Sequence, residues 1–383
     1  MTTAEIITIG TELLLGDIVD TNTSFLAQEL NKIGIDIFRT LTVGDNQTRI
    51  TRQIRQSLEN ADIVITTGGL GPTVDDPTRE AVADVFGLSL VFSEDLWTQI
   101  QHRFERFHRT PTENNRKQAY LPSSAIPIEN PVGTAPAFYV ENSGRMLICL
   151  PGVPAEAQYL FQHAVVGIIR ETFNVQLTTI TRIIRTAGMG ESTVDALIHE
   201  FEKLNNPTVG VTAHPGQVDI RITAKAADAE SALAVIKPVE TQITTLLNGY
   251  VFGFDDDTLR NVVMDLLQKN NLTMQLIYSE ELASCISQLK LTDVFSSQEA
   301  VAQEIFTDLL SAPTKYNRII PNTIVILLDG EQGQENSLSM VLINEENVVS
   351  KKIFFGGHPD LFSQWIENQI LDSTRVYLQQ KVK

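Results

Sequence analysis

The sequence is short of the residues that several protein classes depend on. Cysteine occurs twice in 383 residues, at Cys149 and Cys285, inside the apolar runs MLICLP and LASCIS. Two distant thiols make neither a CxxC pair nor a disulfide framework, so they read as reduced core side chains. Cations are scarce: 29 Lys and Arg stand against 47 Asp and Glu, a formal charge of −18. A broad nucleic-acid or anionic-membrane footprint needs the opposite balance. The apolar runs AVVGII (164–169) and TIVILL (323–328) fall far short of the roughly 20 residues that span a bilayer. The opening MTTAEIITIG has neither the basic start nor the apolar stretch of a signal peptide, and a cytoplasmic location is expected. The six histidines, His102 and His108 among them, show no metal-ligand spacing. No G-x-S-x-G supports a serine nucleophile.

What remains is an ordinary globular composition, 43% hydrophobic and 20% charged, long enough for two or three domains. Strand and helix patterns alternate from the start. Glu5–Ile9 reads as a strand, a helix follows with Leu26, Leu30 and Ile33 on one face, and Ile35–Val43 reads as a second strand. Ile50, Ile54, Leu58 and Ala61 recur at helical spacing, Asp62–Thr67 reads as a buried strand, and Asp76-Pro77 as an N-cap with proline at the first helical position. Met146–Leu150 adds a strand and Pro154–Thr172 its helix. This predicts an α/β domain over 1–172 with a doubly wound, mostly parallel sheet. The order βαββαβ over 173–254 predicts a small α+β module. The acidic triplet Asp255-Asp256-Asp257 reads as an exposed linker, and 258–383 as a C-terminal α/β domain ending in a helix from Pro359 to about Gln380.

In an open parallel sheet, ligands sit outside the carboxyl ends of the strands. Four loops fall there: Gly10-Thr11-Glu12 with Asp17 and Asn22; Gly44-Asp45-Asn46; Gly68-Gly69-Leu70-Gly71-Pro72-Thr73 with Asp75-Asp76; and Pro151-Gly152-Val153. The glycines at 68, 69 and 71 suit an anion cradle as readily as a plain tight turn. Val74 stands where a dinucleotide fingerprint needs its last glycine, and no Walker A sequence is present. Carboxylates beside a phosphate repel it unless a divalent cation bridges them or one acts as a base on water. Asp76 is equally a helix N-cap, and Asp45 an Asx turn. Arg116-Lys117, flanked by amides, suits phosphate recognition. Gly133-Thr134 lies in a loop that contacts a sugar or phosphate, or is simply a connection.

These motifs, with Asn115-Arg116-Lys117-Gln118-Ala119, Asn130 to Ala135 and Leu150 to Pro154, resemble the CinA family (competence/damage-inducible protein A) over about residues 4–250. The resemblance implies a molybdopterin-binding (MoaB/MogA-like) first domain and metal-dependent hydrolysis of ADP-ribose to AMP and ribose 5-phosphate. It implies a divalent metal cation, with K+ as a further candidate ion, a small-molecule nucleotide substrate and a homodimer. On that basis Asp75 and Asp76 are the expected metal ligands, Asp45 and Asp76 the catalytic carboxylates, and Arg116 and Lys117 the cations on the leaving phosphate. Rival readings are a nucleotide- or molybdopterin-binding regulatory protein without turnover, and a molybdopterin-handling enzyme by fold analogy alone. The family's last domain is a nicotinamide-mononucleotide deamidase, and there the sequence departs. Counting back from Leu291-Thr292-Asp293-Val294 puts Glu281 at the active serine position, with both following glycines gone and Ser284-Cys285 out of register. The segment between Phe295 and Ser311 and the turn at 329–333 differ as well, so deamidase chemistry is expected to be lost rather than retained.

Overall fold

The computed structural model describes residues 2–106, 108–289, 291, 293–302, 306, 322–331, 336–344 and 348–380. They form two compact units, residues 1–180 with 225–232, and 181–224 with 233–383.

The first unit carries β1 (Thr3–Ile9), α1 (Thr11–Leu15), α2 (Thr21–Lys32), β2 (Asp36–Val43), α3 (Gln47–Asn60), β3 (Ile63–Thr67), α4 (Thr78–Phe86), β4 (Leu90–Phe92), α5 (Glu94–Arg106), β5 (Tyr120–Pro122), β6 (Ile126–Ile128), β7 (Ala137–Asn142), β8 (Arg145–Leu150), α6 (Pro154–Leu160) and α7 (Val166–Phe173). Its six-stranded sheet runs β2-β1-β3-β8-β7-β6. The pairs β1–β2, β1–β3 and β3–β8 are parallel, while β7 runs antiparallel to both β8 and β6. This is the mostly parallel α/β sheet that the alternating pattern predicts, with an antiparallel pair added at one side.

Period-two alternation sorts each strand between two cores. Ile6, Ile63, Ile65, Met146 and Ile148 pack with Leu26 and Leu30 of α2 and with Leu160 and Ile169. Ile7, Val64, Leu147 and Cys149 face the other way, against Ile50 and Ile54 of α3, Ala81 and Val82 of α4, and Ile100 of α5. Helices thus cover both faces. Cys149 and Cys285 are both buried and neither is in a disulfide, and burial pushes the Cys149 thiol up to about 12.

Next along the chain, β9 (Thr178–Ala187), α8 (Glu191–Glu202), β10 (Thr208–His214), β11 (Gln217–Ala226), α9 (Ala229–Leu246) and β12 (Val251–Phe254) follow the expected βαββαβ order, with strands ordered β10-β11-β9-β12. In the acidic triplet Asp256 and Asp257 are exposed, as the linker reading expects, but the segment is tied into the fold. Asp255 accepts from the Ile183 N–H at 2.9 Å and pairs with Arg182, and Asp257 accepts from the Phe254 N–H at 2.8 Å. Beyond it come α10 (Leu259–Asn270), β13 (Thr273–Ser279), α11 (Ala283–Ile286), β14 (Ser297–Val301), β15 (Thr323–Glu331), β16 (Asn336–Ile343), β17 (Val348–Phe355) and α12 (Phe362–Gln380). Their sheet is ordered β14-β13-β15-β16-β17. Glu281 and Ser284 are exposed while Cys285 faces the core, so of the Ser284-Cys285 pair only the thiol is buried. The expectations placed on Thr292, on 303–305 and 307–310 and on the turn at 332–333 lie outside the described residues. No described helix is long and apolar enough to cross a membrane.

Candidate functional site

Four parallel strands of the first sheet end level with one another. In its register Ile9 lies opposite Val43, Thr8 opposite Thr67, and Thr67 opposite Leu150. The loops leaving these strands therefore start from one rim, where an open parallel sheet binds its ligands. The Gly10 N–H donates to the Val43 carbonyl at 3.0 Å, and the Gly68 N–H to the Leu150 carbonyl at 3.0 Å. A crevice of about 580 Å³ opens here.

The glycine loop forms one wall. Gly68 has φ +107°, and a Cβ there would stand 2.1 Å from the Ile9 carbonyl oxygen. Gly69 has φ +65°, and its Cβ would meet the Thr78 hydroxyl at 2.1 Å. Neither position admits a side chain. Thr78 pins the loop to the start of α4: its hydroxyl donates to the Gly68 carbonyl at 2.9 Å and its N–H to the Gly69 carbonyl at 3.2 Å. Gly71, Pro72, Pro151, Gly152 and Thr134 complete the walls.

The charges are one-sided. Glu12, Asp45, Asp75, Asp76 and Glu156 line the crevice, and among the described residues no Lys or Arg does. Asp45 accepts from the Thr11 N–H at 2.8 Å, tying the end of β2 to the first residue of α1 rather than making an Asx turn. Asp76 is not the helix N-cap. The Thr78 N–H is already held by Gly69, the helix begins at Thr78, and the Asp76 carboxylate instead accepts from the Thr73 N–H at 2.9 Å and its hydroxyl at 2.5 Å. Asp75 is exposed. Among the described residues no group of three or more His, Cys, Asp or Glu is arranged to hold a metal ion.

Several expected residues stand outside the crevice. Asn22 is buried behind it, donating to the Thr67 hydroxyl at 2.9 Å and the Gly152 carbonyl at 2.8 Å. Gly10 and Thr11 act through the backbone bonds just given, and Asp17 is exposed without lining the crevice. Arg116 and Lys117 are the clearest correction. Lys117 donates to the carbonyls of Thr73 and Asp76, both at 2.9 Å, and lies 3.3 Å from Glu80. Arg116 packs over the rings of Phe92 and Trp97, 4.7 and 5.4 Å from their centroids. Both side chains, with Thr73, line a neighbouring cavity instead.

Two side chains inside the crevice escaped the sequence reading. Glu156, in the first turn of α6, accepts from the Asn130 amide at 2.6 Å, and burial raises its pKa although Asn130 and Arg103 oppose the shift. Gly133 packs against that carboxylate; a Cβ there would stand 1.8 Å from its oxygen. Gln118 is buried and donates to the Thr134 hydroxyl at 3.4 Å. The sequence signal for Glu156 was its place two residues after Pro154, at the mouth of a helix following a strand-end loop.

Residues 5–171 match the family profile described as "Probable molybdopterin binding domain", and residues 181–253 the profile of the damage-inducible protein CinA KH domain. The chain is 36% identical over 337 residues to a competence-damage inducible protein of Halothermothrix orenii, covering 88% of this chain and 80% of that one. It is 43% identical over 272 residues to a competence-damage inducible protein of Clostridium botulinum, covering 71% of this chain but 66% of the relative's length. A crystal structure of the protein CinA from Thermoplasma acidophilum is 38% identical, covers 44% of this chain and 98% of that one, and superimposes with a TM-score of 0.41.

Proposed function

The chain belongs to the CinA family of competence-damage inducible proteins, and on that premise we propose that its first sheet hydrolyses a nucleoside diphosphate sugar such as ADP-ribose to AMP and ribose 5-phosphate. The observation that carries this reading is the meeting of a side-chain-free glycine loop with five carboxylates and, among the described residues, no cationic side chain in one crevice. Glycine-exposed backbone suits a diphosphate, yet the carboxylates would repel it without a counter-ion.

Hard oxygen donors fit a divalent ion such as Mg²⁺. Such an ion typically takes only one or two protein carboxylates and completes its shell with substrate oxygens and water, which agrees with the lack of a preformed three-ligand cluster among the described residues. Asp75 and Asp76 are the side chains placed to hold it, and when bound it would neutralise charge on the diphosphate. The chain's own residues do the rest. The loop from Gly68 to Pro72 orients the diphosphate. Glu156, whose pKa is raised by burial, is suited to take the proton of the attacking water. Asp45, bonded to Thr11, holds the rim in shape rather than serving as the base. Potassium as an accessory ion, a homodimer, a cytoplasmic location, the absence of nucleic-acid partners and the division at 1–172, 173–254 and 258–383 belong to the same proposal.

The test is a panel of ADP-ribose, NAD and related diphosphates with Mg²⁺, Mn²⁺ and K+, followed by product chromatography. AMP and ribose 5-phosphate are expected from ADP-ribose. Ligand-induced thermal stabilisation with no product under any ion would establish the binding-only alternative. Nicotinamide mononucleotide in the same panel is expected to release no ammonia, since Glu281 occupies the serine position.

A further inference from the structure

Pro72 stands between the crevice and a second cavity of about 670 Å³, walled by Val74, Leu90 and Tyr120 and by three cations, Arg79, Arg116 and Lys117. In a chain of charge −18 that concentration of positive charge is unusual, and each cation has a contact that places it. Lys117 is anchored on the carbonyls of Thr73 and Asp76, and Arg116 on Phe92 and Trp97.

Arg79 forms the floor and is wholly buried. Its Nη1 donates to the Leu70 carbonyl at 3.0 Å, while Nε and Nη2 have no hydrogen-bond partner among the described residues. Those two nitrogens share one edge of the guanidinium, and their parallel N–H groups match two oxygens of one oxyanion. Buried cationic donors are rarely left unmatched, because nothing replaces the water they have lost. The neighbouring carboxylates of Glu80 and Asp76 supply favourable charge but, among the described residues, no hydrogen bond to these two nitrogens. Glu80 turns Oε1 toward Lys117 at 3.3 Å and leaves Oε2 without a partner. Glu113 is 86% exposed and lies 3.4 Å from Arg116.

We propose that this cavity is a second anion subsite for a phosphate group, free or esterified, gripped by the Arg79 edge and neutralised by Arg116 and Lys117. It is independent of the hydrolytic reading, needing neither turnover nor a divalent ion.

Trp97 and Trp365 are the two tryptophans of the sequence, so a Trp365→Phe background leaves Trp97, beside Arg116, as the reporter. Inorganic phosphate and ribose 5-phosphate are titrated separately at constant ionic strength, following Trp97 emission and heat of binding. A saturable response to either is expected, the responding arm telling whether the free ion or the ester is preferred. Arg116→Ala should raise the half-saturating concentration about tenfold, the scale of one charged hydrogen bond. Arg79→Met, which puts an apolar chain of similar length where an unmatched cation stood, should abolish the response with circular dichroism unchanged. If that variant does not fold, Arg116→Ala carries the test. No saturable response in the parent, or unchanged half-saturation in the folded variants, overturns the proposal.

Discussion

Glu156→Gln is expected to lower ADP-ribose turnover by about 10²–10⁴-fold, the range for loss of a positioned general base. Glutamine keeps an amide oxygen for the Asn130 donor that holds Glu156 at 2.6 Å, so the melting temperature should stay in place while the rate falls. The pH profile gives an independent reading. A base works only when ionised, so the parent rate climbs as pH rises through the pKa of Glu156. Burial raises that pKa, so the limb should lie above the range of an ordinary carboxylate and vanish in the glutamine variant. Parent-level turnover in Glu156→Gln would remove this carboxylate from the chemistry. Asp45→Asn is the companion measurement: if Asp45 only braces the rim, its variant loses far less activity, because asparagine still accepts from the Thr11 N–H.

The second large effect is structural. Gly68→Ala should destabilise the first unit by roughly 3 kcal/mol, combining a disfavoured backbone conformation with overpacking against a group that cannot rotate away. The obstacle is the backbone carbonyl of Ile9 at 2.1 Å, reached from φ +107°. Gly87→Ala is the matched control. It has φ +65° and nothing within 4 Å of the added Cβ, so it carries only the left-handed cost of about 1–2 kcal/mol. Urea unfolding midpoints separate the two. Equal shifts would show that the rim relaxes around Gly68, and that the loop is no rigid cradle.

The first sheet was legible in the sequence because two periods coincide with two environments. Ile6, Ile63 and Ile65 alternate with Ile7 and Val64 across the strands, while Ile50 and Ile54 recur at helical spacing beneath them. Where strands are short or carry proline, the signal fades: Leu90–Phe92 pairs with Tyr120–Pro122, and Ile126–Ile128 with part of Ala137–Asn142. The convergence of the glycine loops was legible because parallel strands ending in turns must share a rim. Side-chain direction was not. Arg116 and Lys117 look like a clamp on the crevice's own ligand until Phe92, Trp97 and the carbonyl of Thr73 turn them to the neighbouring cavity. Arg79, a cation in the first turn of α4, is buried, and no local pattern marks it so. The environment of Glu156 is made by Asn130, 26 positions earlier, and no local pattern encodes such a pairing.

The level ending of Ile9, Val43, Thr67 and Leu150 has a consequence for how such a protein changes over generations. The strands below the rim fill the two cores, while the turns above it line the crevice, and Gly68 and Gly69 are tied to both. Change at the rim is therefore open at residues such as Asp75, which is exposed, and closed at the two glycines on which the fold itself leans.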